Sequence, residues 1–157
     1  MRKSKSYTLL VVVLAMTAGL AACAPKPVTY KDGTYRAPAA EADASGWKEY
    51  VEVKVESGKI TKVTWDATWD RDDTIKKTKK EYSREGLLGM AETGGAKSER
   101  YEQAEAAEKH VVEKNGTSAL EIKTGEDAGK SDAISGATIK VDEFKRLVDK
   151  ALVNAKK

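Results

Sequence analysis

Residues that usually hold metals or haem are almost missing from this chain. It has one Cys, Cys23, and one His, His110. That excludes a Cys-based metal cluster and a Cys-x-x-Cys-His haem site. A single His, with nothing to place a Ser and an Asp beside it, gives no nucleophilic triad. At mid-helix His110 reads as a surface or packed residue. Carboxylates are abundant but scattered, and none is singled out for acid–base work. The tightest group, Asp66, Asp70, Asp72 and Asp73, lacks the alternating acids and the glycine of a calcium loop and reads as a solvated turn. There is no internal repeat, so a single domain is expected.

Excess charge of one sign is also missing once the first residues are set aside. The 28 Lys and Arg outnumber the 25 Asp and Glu only through Arg2, Lys3 and Lys5. Residues 1–22 contain no acid, so residues 23–157 are formally neutral. The isoelectric point near 8.8 belongs to the precursor and makes no case for nucleic-acid binding. No apolar run reaches the ~20 residues that span a bilayer. The one substantial run, residues 9–20, follows the basic start and ends in Leu20-Ala21-Ala22-Cys23. This reads as a lipoprotein signal over residues 1–22, with lipidation at Cys23. The alternative is that Cys23 is an incidental apolar residue of the signal. Several acyl chains on Cys23 would anchor the protein stably where one chain is marginal. The expected location is extracytoplasmic, lipid-anchored to the cell membrane. Residues 23–29, with Pro25 and Pro27, form the tether, and the domain follows over residues 30–157.

Within that domain, periodicity predicts an α+β fold, an antiparallel sheet with helices packed on it. Asp32-Gly33-Thr34-Tyr35 reads as a turn into a strand, and residues 38–45 as a loop. Val51, Val53 and Val55 alternate with charged residues, so one face of a strand over 50–56 is buried. Ser57-Gly58-Lys59 turns the chain, and residues 60–67 return with Val63 and Trp65 on one face. Residues 66–73 are expected to be a loop. A helix is expected to begin in the basic run 76–80 and to include Tyr82, Leu87, Leu88 and Met90. Thr93-Gly94-Gly95 breaks the chain. A second helix covers 98–114, with Tyr101, Ala104, Glu108 and Val111 or Val112 roughly on one side, and Gly116 stops it. Residues 119–123 suit a short strand and 125–130 a polar loop. Phe144, Leu147, Val148, Ala151 and Leu152 mark a final helix over 141–154.

Just before that helix stands Asp132-Ala133-Ile134-Ser135-Gly136-Ala137-Thr138. It sets a hydroxyl near a helix start, inside a run of small residues. Gly136 permits a sharp bend and close approach, Ala137 keeps the approach open, and the positive end of the helix favours an anionic phosphate. The plain alternative is a turn and a helix cap, since Ser and Thr are ordinary capping residues. The pattern Asp-x-x-Ser-Gly-Ala-Thr resembles the flavinylation motif of the FMN-binding domain family. That family includes the covalent-FMN subunits of the Rnf and sodium-pumping quinone oxidoreductase complexes and flavin lipoproteins of extracellular electron transfer. The opening Asp32-Gly33-Thr34-Tyr35 and the hairpin over 46–60 are similar to those of such lipoproteins, so the resemblance spans nearly the whole mature chain.

The resemblance implies FMN joined through its phosphate to the Thr138 hydroxyl by a flavin transferase that uses FAD. It implies Ser135, Gly136 and Ala137 as the remaining cofactor-binding residues and Asp132 as part of what the transferase reads. Where many members carry a second Thr or Ser, this chain has Lys140, whose ammonium suits a phosphate. Partners would be the transferase, membrane redox proteins and, through Cys23, the lipid itself. Trp47, Trp65, Trp69, Tyr50 and Met90 are candidates to stack on the flavin ring, with core packing the alternative for each. The expected function is an electron carrier rather than a stand-alone enzyme, because no saturable substrate site is apparent. The competing reading is a non-redox lipoprotein that binds a ligand or stabilises a membrane complex.

Overall fold

The computed structural model describes residues 28–156. Cys23, the signal 1–22 and most of the tether lie outside them. Among the described residues no helix is long and apolar enough to cross a membrane.

Three strands form one antiparallel sheet in the order β1 (Gly33–Pro38), β2 (Trp47–Glu56) and β3 (Lys59–Trp69). Alternation decides which side is covered. Val51, Val53 and Val55 of β2 and Val63, Trp65 and Ala67 of β3 are buried, while Glu52, Lys54 and Glu56 are exposed. The hairpin closes through Ser57 and Gly58, both at positive φ (53° and 77°), which matches the right-handed strand twist. The Asp32 carboxylate accepts the N–H groups of both turn residues, at 2.9 and 2.8 Å. The Asp-Gly-Thr-Tyr opening therefore clamps the hairpin as well as starting β1.

Three α-helices follow: α1 (Lys79–Arg84), α2 (Arg100–Lys114) and α3 (Asp142–Leu152). α3 packs on β1 and β2, α2 packs on β3, and α1 sits against α2 and β3. Phe144, Leu147, Val148, Ala151 and Leu152 of α3 are all buried, as their spacing requires. Phe144 stacks on Trp65 with ring centroids 4.6 Å apart. The result is a small α+β domain, the fold class expected from the periodicity.

Several boundaries differ from expectation. β3 runs on through Trp69, so residues 66–69 are strand. The buried Asp66 carboxylate accepts the N–H groups of Ala67 and Lys80, at 2.8 and 2.9 Å. α1 ends at Arg84. Thr78 and Glu81 form a capping box at its start, and the N–H groups of Gly86 and Leu87 fold back to the carbonyls of Ser83 and Tyr82. Leu87, Leu88 and Met90 therefore lie in the turns that follow. Residues 119–123 form no strand, because Leu120 N–H bonds to Thr117 and Lys123 N–H to Lys130. The buried stripe of α2 is Arg100, Gln103, Ala104, Ala107 and Val111, so it includes two polar residues and leaves Tyr101 and Glu108 half-buried. α3 is shorter than 141–154 because the chain turns after Leu152, letting Lys156 bridge to Tyr30.

Candidate functional site

The segment 132–138 crosses from the surface into the core and back. Ile134 is buried and Ala137 packs against the core, while Asp132, Ser135, Gly136 and Thr138 are exposed. A turn closed by Ala137 N–H on the Ile134 carbonyl carries Gly136 at φ +79°. A Cβ there would meet nothing within 4 Å, so the backbone conformation rather than lack of room calls for glycine.

Neither hydroxyl of the motif caps α3. The N-cap residue is Val141, without a side-chain cap, and the N–H groups of Val141 and Asp142 both bond to the Gly129 carbonyl, at 2.7 and 3.2 Å. Gly129 stands at φ +88°, and a Cβ on it would lie 3.0 Å from the Asp142 carboxylate. Close backbone approach thus occupies the helix start, and Asp142 and Glu143 add negative charge in its first turn. Two of the N–H groups expected to favour a phosphate, those of Val141 and Asp142, are therefore taken by the Gly129 carbonyl.

Thr138 is held from α2 instead. The Gln103 amide oxygen accepts the backbone N–H of Thr138 at 2.6 Å and of Ile139 at 3.1 Å, and the Thr138 hydroxyl at 3.3 Å. Gln103 is 2% exposed, and its amide nitrogen donates to the Ser98 carbonyl at 2.9 Å, which fixes its orientation. Thr138 is thereby an exposed residue on a backbone tied at two points, with its hydroxyl turned to the Gln103 amide oxygen. Gln103 carries no motif; its one trace in the sequence is a polar side chain on the stripe that turns out to be buried.

Ile139 and Lys140, the residues directly after Thr138, line a cavity of about 340 Å³ with Glu49, Trp65, Lys79, Leu88, Met90 and Arg100. That volume lies within the ~300–1,000 Å³ of small-molecule sites. Arg100 is 4% exposed. Its Nη2 donates to Glu49 at 3.2 Å, Trp65 Nε1 donates to the same carboxylate at 3.1 Å, and the guanidinium sits 4.5 Å from the Trp65 ring centroid. Its Nη1 is buried with no hydrogen-bond partner. A buried donor left without a partner costs about 1–3 kcal/mol. Lys79, at the same cavity, is paired with Asp43 at 3.0 Å. Burial disfavours the Asp43 anion, but the Ser45 hydroxyl, the Trp47 N–H and the Lys79 ammonium outweigh it and bring its pKa down to about 2.

The candidate ring neighbours separate cleanly. Trp65 and Met90 line the cavity, although Trp65 is 1% exposed and already in contact with the Phe144 ring and the Arg100 guanidinium. Trp47 packs on Trp69 and Tyr82. Tyr50 alternates to the other face of β2, with the Arg36 guanidinium 4.3 Å from its ring centroid. Asp132 lies apart from this cavity, on a wider depression of about 890 Å³ shared with Lys123, Glu126 and Asp127. It pairs with Lys123 at 2.8 Å, and that hydrogen bond raises the Lys123 pKa. The carboxylates at 66–73 each have their own protein partners: Lys80 N–H for Asp66, Lys48 for Asp70, Trp69 and Thr74 for Asp72, Lys76 for Asp73. His110 is half-buried, with Nε2 unpartnered.

No family model and no curated protein matches the chain. Two solved structures do. One is a solution NMR structure from Clostridium thermocellum, 47% identical, covering 78% of this chain and 89% of that one at a TM-score of 0.54. The other is a crystal structure from Clostridium perfringens, 29% identical, covering 80% and 88% at a TM-score of 0.58. The chain is thus a small α+β domain similar to both. It belongs to the same family as the Clostridium thermocellum protein.

Proposed function

We propose that this protein is a membrane-anchored, extracytoplasmic electron carrier whose FMN is esterified through its phosphate to Thr138. The observation that carries the reading is the placement of Thr138. Thr138 is an exposed residue, its hydroxyl caps no helix, and it is followed directly by two residues that line a small-molecule-sized cavity.

The surrounding residues fit the group. Leu88, Met90 and Ile139 give the cavity apolar surface, Lys79, Lys140 and Arg100 give it positive charge, and one buried Arg100 donor is still unused. When bound, FMN supplies the electron-transfer chemistry that the side chains lack. For attachment, the Thr138 oxygen displaces AMP from the FMN phosphorus of FAD. The new O–P bond replaces the phosphoanhydride bond, AMP leaves, and the hydroxyl proton passes to solvent. Gln103 keeps its two backbone N–H donors after the hydroxyl proton is gone, so the support of Thr138 outlasts the reaction. Asp132, on a separate exposed surface, is free to serve as a handle for the transferase without touching the bound ring.

The test is co-expression with a flavin transferase, followed by denaturing electrophoresis read by flavin fluorescence. Wild type and Thr138→Ser should fluoresce and Thr138→Val should not. A dark wild-type band beside a fluorescent control protein favours the non-redox binding lipoprotein instead.

A further inference from the structure

Arg100 is a buried cation that has spent only part of its bonding capacity. Nη2 is taken by Glu49 and the guanidinium face rests over Trp65. Both neighbours are themselves fixed, because Trp65 Nε1 donates to Glu49 and Trp65 stacks on Phe144. The guanidinium plane is therefore set before any ligand arrives, which lowers the cost of ordering it on binding. Nη1 remains buried without a partner, on a residue that lines the cavity beside the Thr138 segment. A guanidinium can only donate, so the matching ligand atom is an acceptor.

We infer that Arg100 anchors the flavin ring by donating from Nη1 to a carbonyl oxygen on its pyrimidine edge, and that it thereby sets the reduction potential. This rests on the FMN reading above. Of the two edges of an isoalloxazine, only the pyrimidine edge carries carbonyl oxygens. The dimethyl-substituted edge is apolar and suits Leu88 and Met90, which line the same cavity. A cation that donates directly to the carbonyl edge favours the more electron-rich reduced form and raises the midpoint potential more than a charge that does not reach the oxygen. A guanidinium held over an indole and paired with one carboxylate keeps its charge with one donor still unused. Lysine cannot serve Glu49 and a ring oxygen with that planar geometry.

The experiment compares flavinylated wild type with Arg100→Lys, each first checked by intact mass for covalent FMN and by circular dichroism for folding. The inference expects a lower midpoint potential in Arg100→Lys and an upshifted flavin carbonyl stretch in infrared difference spectra, with Thr138 still modified. Unchanged potential and carbonyl frequencies in a fully modified variant overturn it, and leave Nη1 served by water. Wild type without FMN, beside a modified control, defeats the reading on which the inference rests. Should Arg100→Lys not fold, the wild type answers alone through nitrogen-15 spectra of its arginine side chains. Arg100 N–H signals that become resolved and slowly exchanging on flavinylation, relative to Thr138→Val, support the inference. Signals identical in the two proteins contradict it.

Discussion

The Gln103 amide oxygen is the joint between α2 and the Thr138 segment: it accepts the N–H of Thr138 at 2.6 Å and of Ile139 at 3.1 Å. This one side chain positions Thr138, although it stands 35 residues earlier in the sequence. Gln103→Leu removes the acceptor and should cost about 1–3 kcal/mol of stability, measured by urea unfolding, and should slow flavinylation. Gln103→Glu keeps an acceptor for both N–H groups but adds a negative charge beside the incoming phosphate. It also loses the N–H that the Ser98 carbonyl accepts and buries a carboxylate, so it should be less stable than wild type and be modified more slowly. Equal modification rates for all three proteins would show that this joint does not position Thr138.

Asp132 tests the opposite separation. It is exposed, is not among the residues lining the cavity, and pairs with Lys123. An exposed ion pair is worth little to stability, about 0–1 kcal/mol. Asp132→Asn should therefore leave the unfolding midpoint nearly unchanged while reducing the rate at which the transferase modifies Thr138. A full-rate Asp132→Asn protein in a timed co-incubation would remove Asp132 from the recognition surface.

The floor of the site depends on Phe144 against Trp65. Phe144 is fully buried and its ring stacks at 4.6 Å. Phe144→Ala should destabilise the domain by about 3–5 kcal/mol. Its Trp emission should shift to longer wavelength even under native conditions. Denaturant titration followed by fluorescence checks both.

Acid stability should report Asp43. Its folded pKa is about 2 against an ordinary value of 3.8. Between those values the unfolded chain binds more protons, so stability rises with pH. The Asp43 contribution is fully present above about 4 and is lost as pH falls toward 2. Asp43→Asn should flatten the stability curve in that window and leave its shape above pH 5 unchanged. Thermal unfolding across pH 2–6 measures this.

How far the sequence reached follows from the range of the forces involved. The β2–β3 hairpin was readable because Val51, Val53, Val55, Val63 and Trp65 obey a two-residue period. α3 was readable because five apolar residues share one helical face. Elements whose limits depend on distant partners were not. Asp66 reads as a loop acid until Lys80 N–H is brought to it, and α1 looks longer until the turn at Gly86 closes it. At the site, Thr138 and its small neighbours were visible as a local motif. Gln103, Gly129 and the Glu49–Arg100–Trp65 group were not, because each acts across a dozen residues or more and none has a local pattern. The helix start after the motif looked like a phosphate cradle, yet the Gly129 carbonyl takes the N–H groups of Val141 and Asp142 there.

The central claim is a covalent flavin on Thr138, and intact mass tests it most directly. Mature protein should be taken from its native host, or co-expressed with a flavin transferase, beside Thr138→Val. The account predicts a wild-type mass increased by FMN less one water, absent from the variant, with fragmentation placing the addition on Thr138. An unmodified wild type, with a known flavinylated protein modified in the same cells, would contradict it.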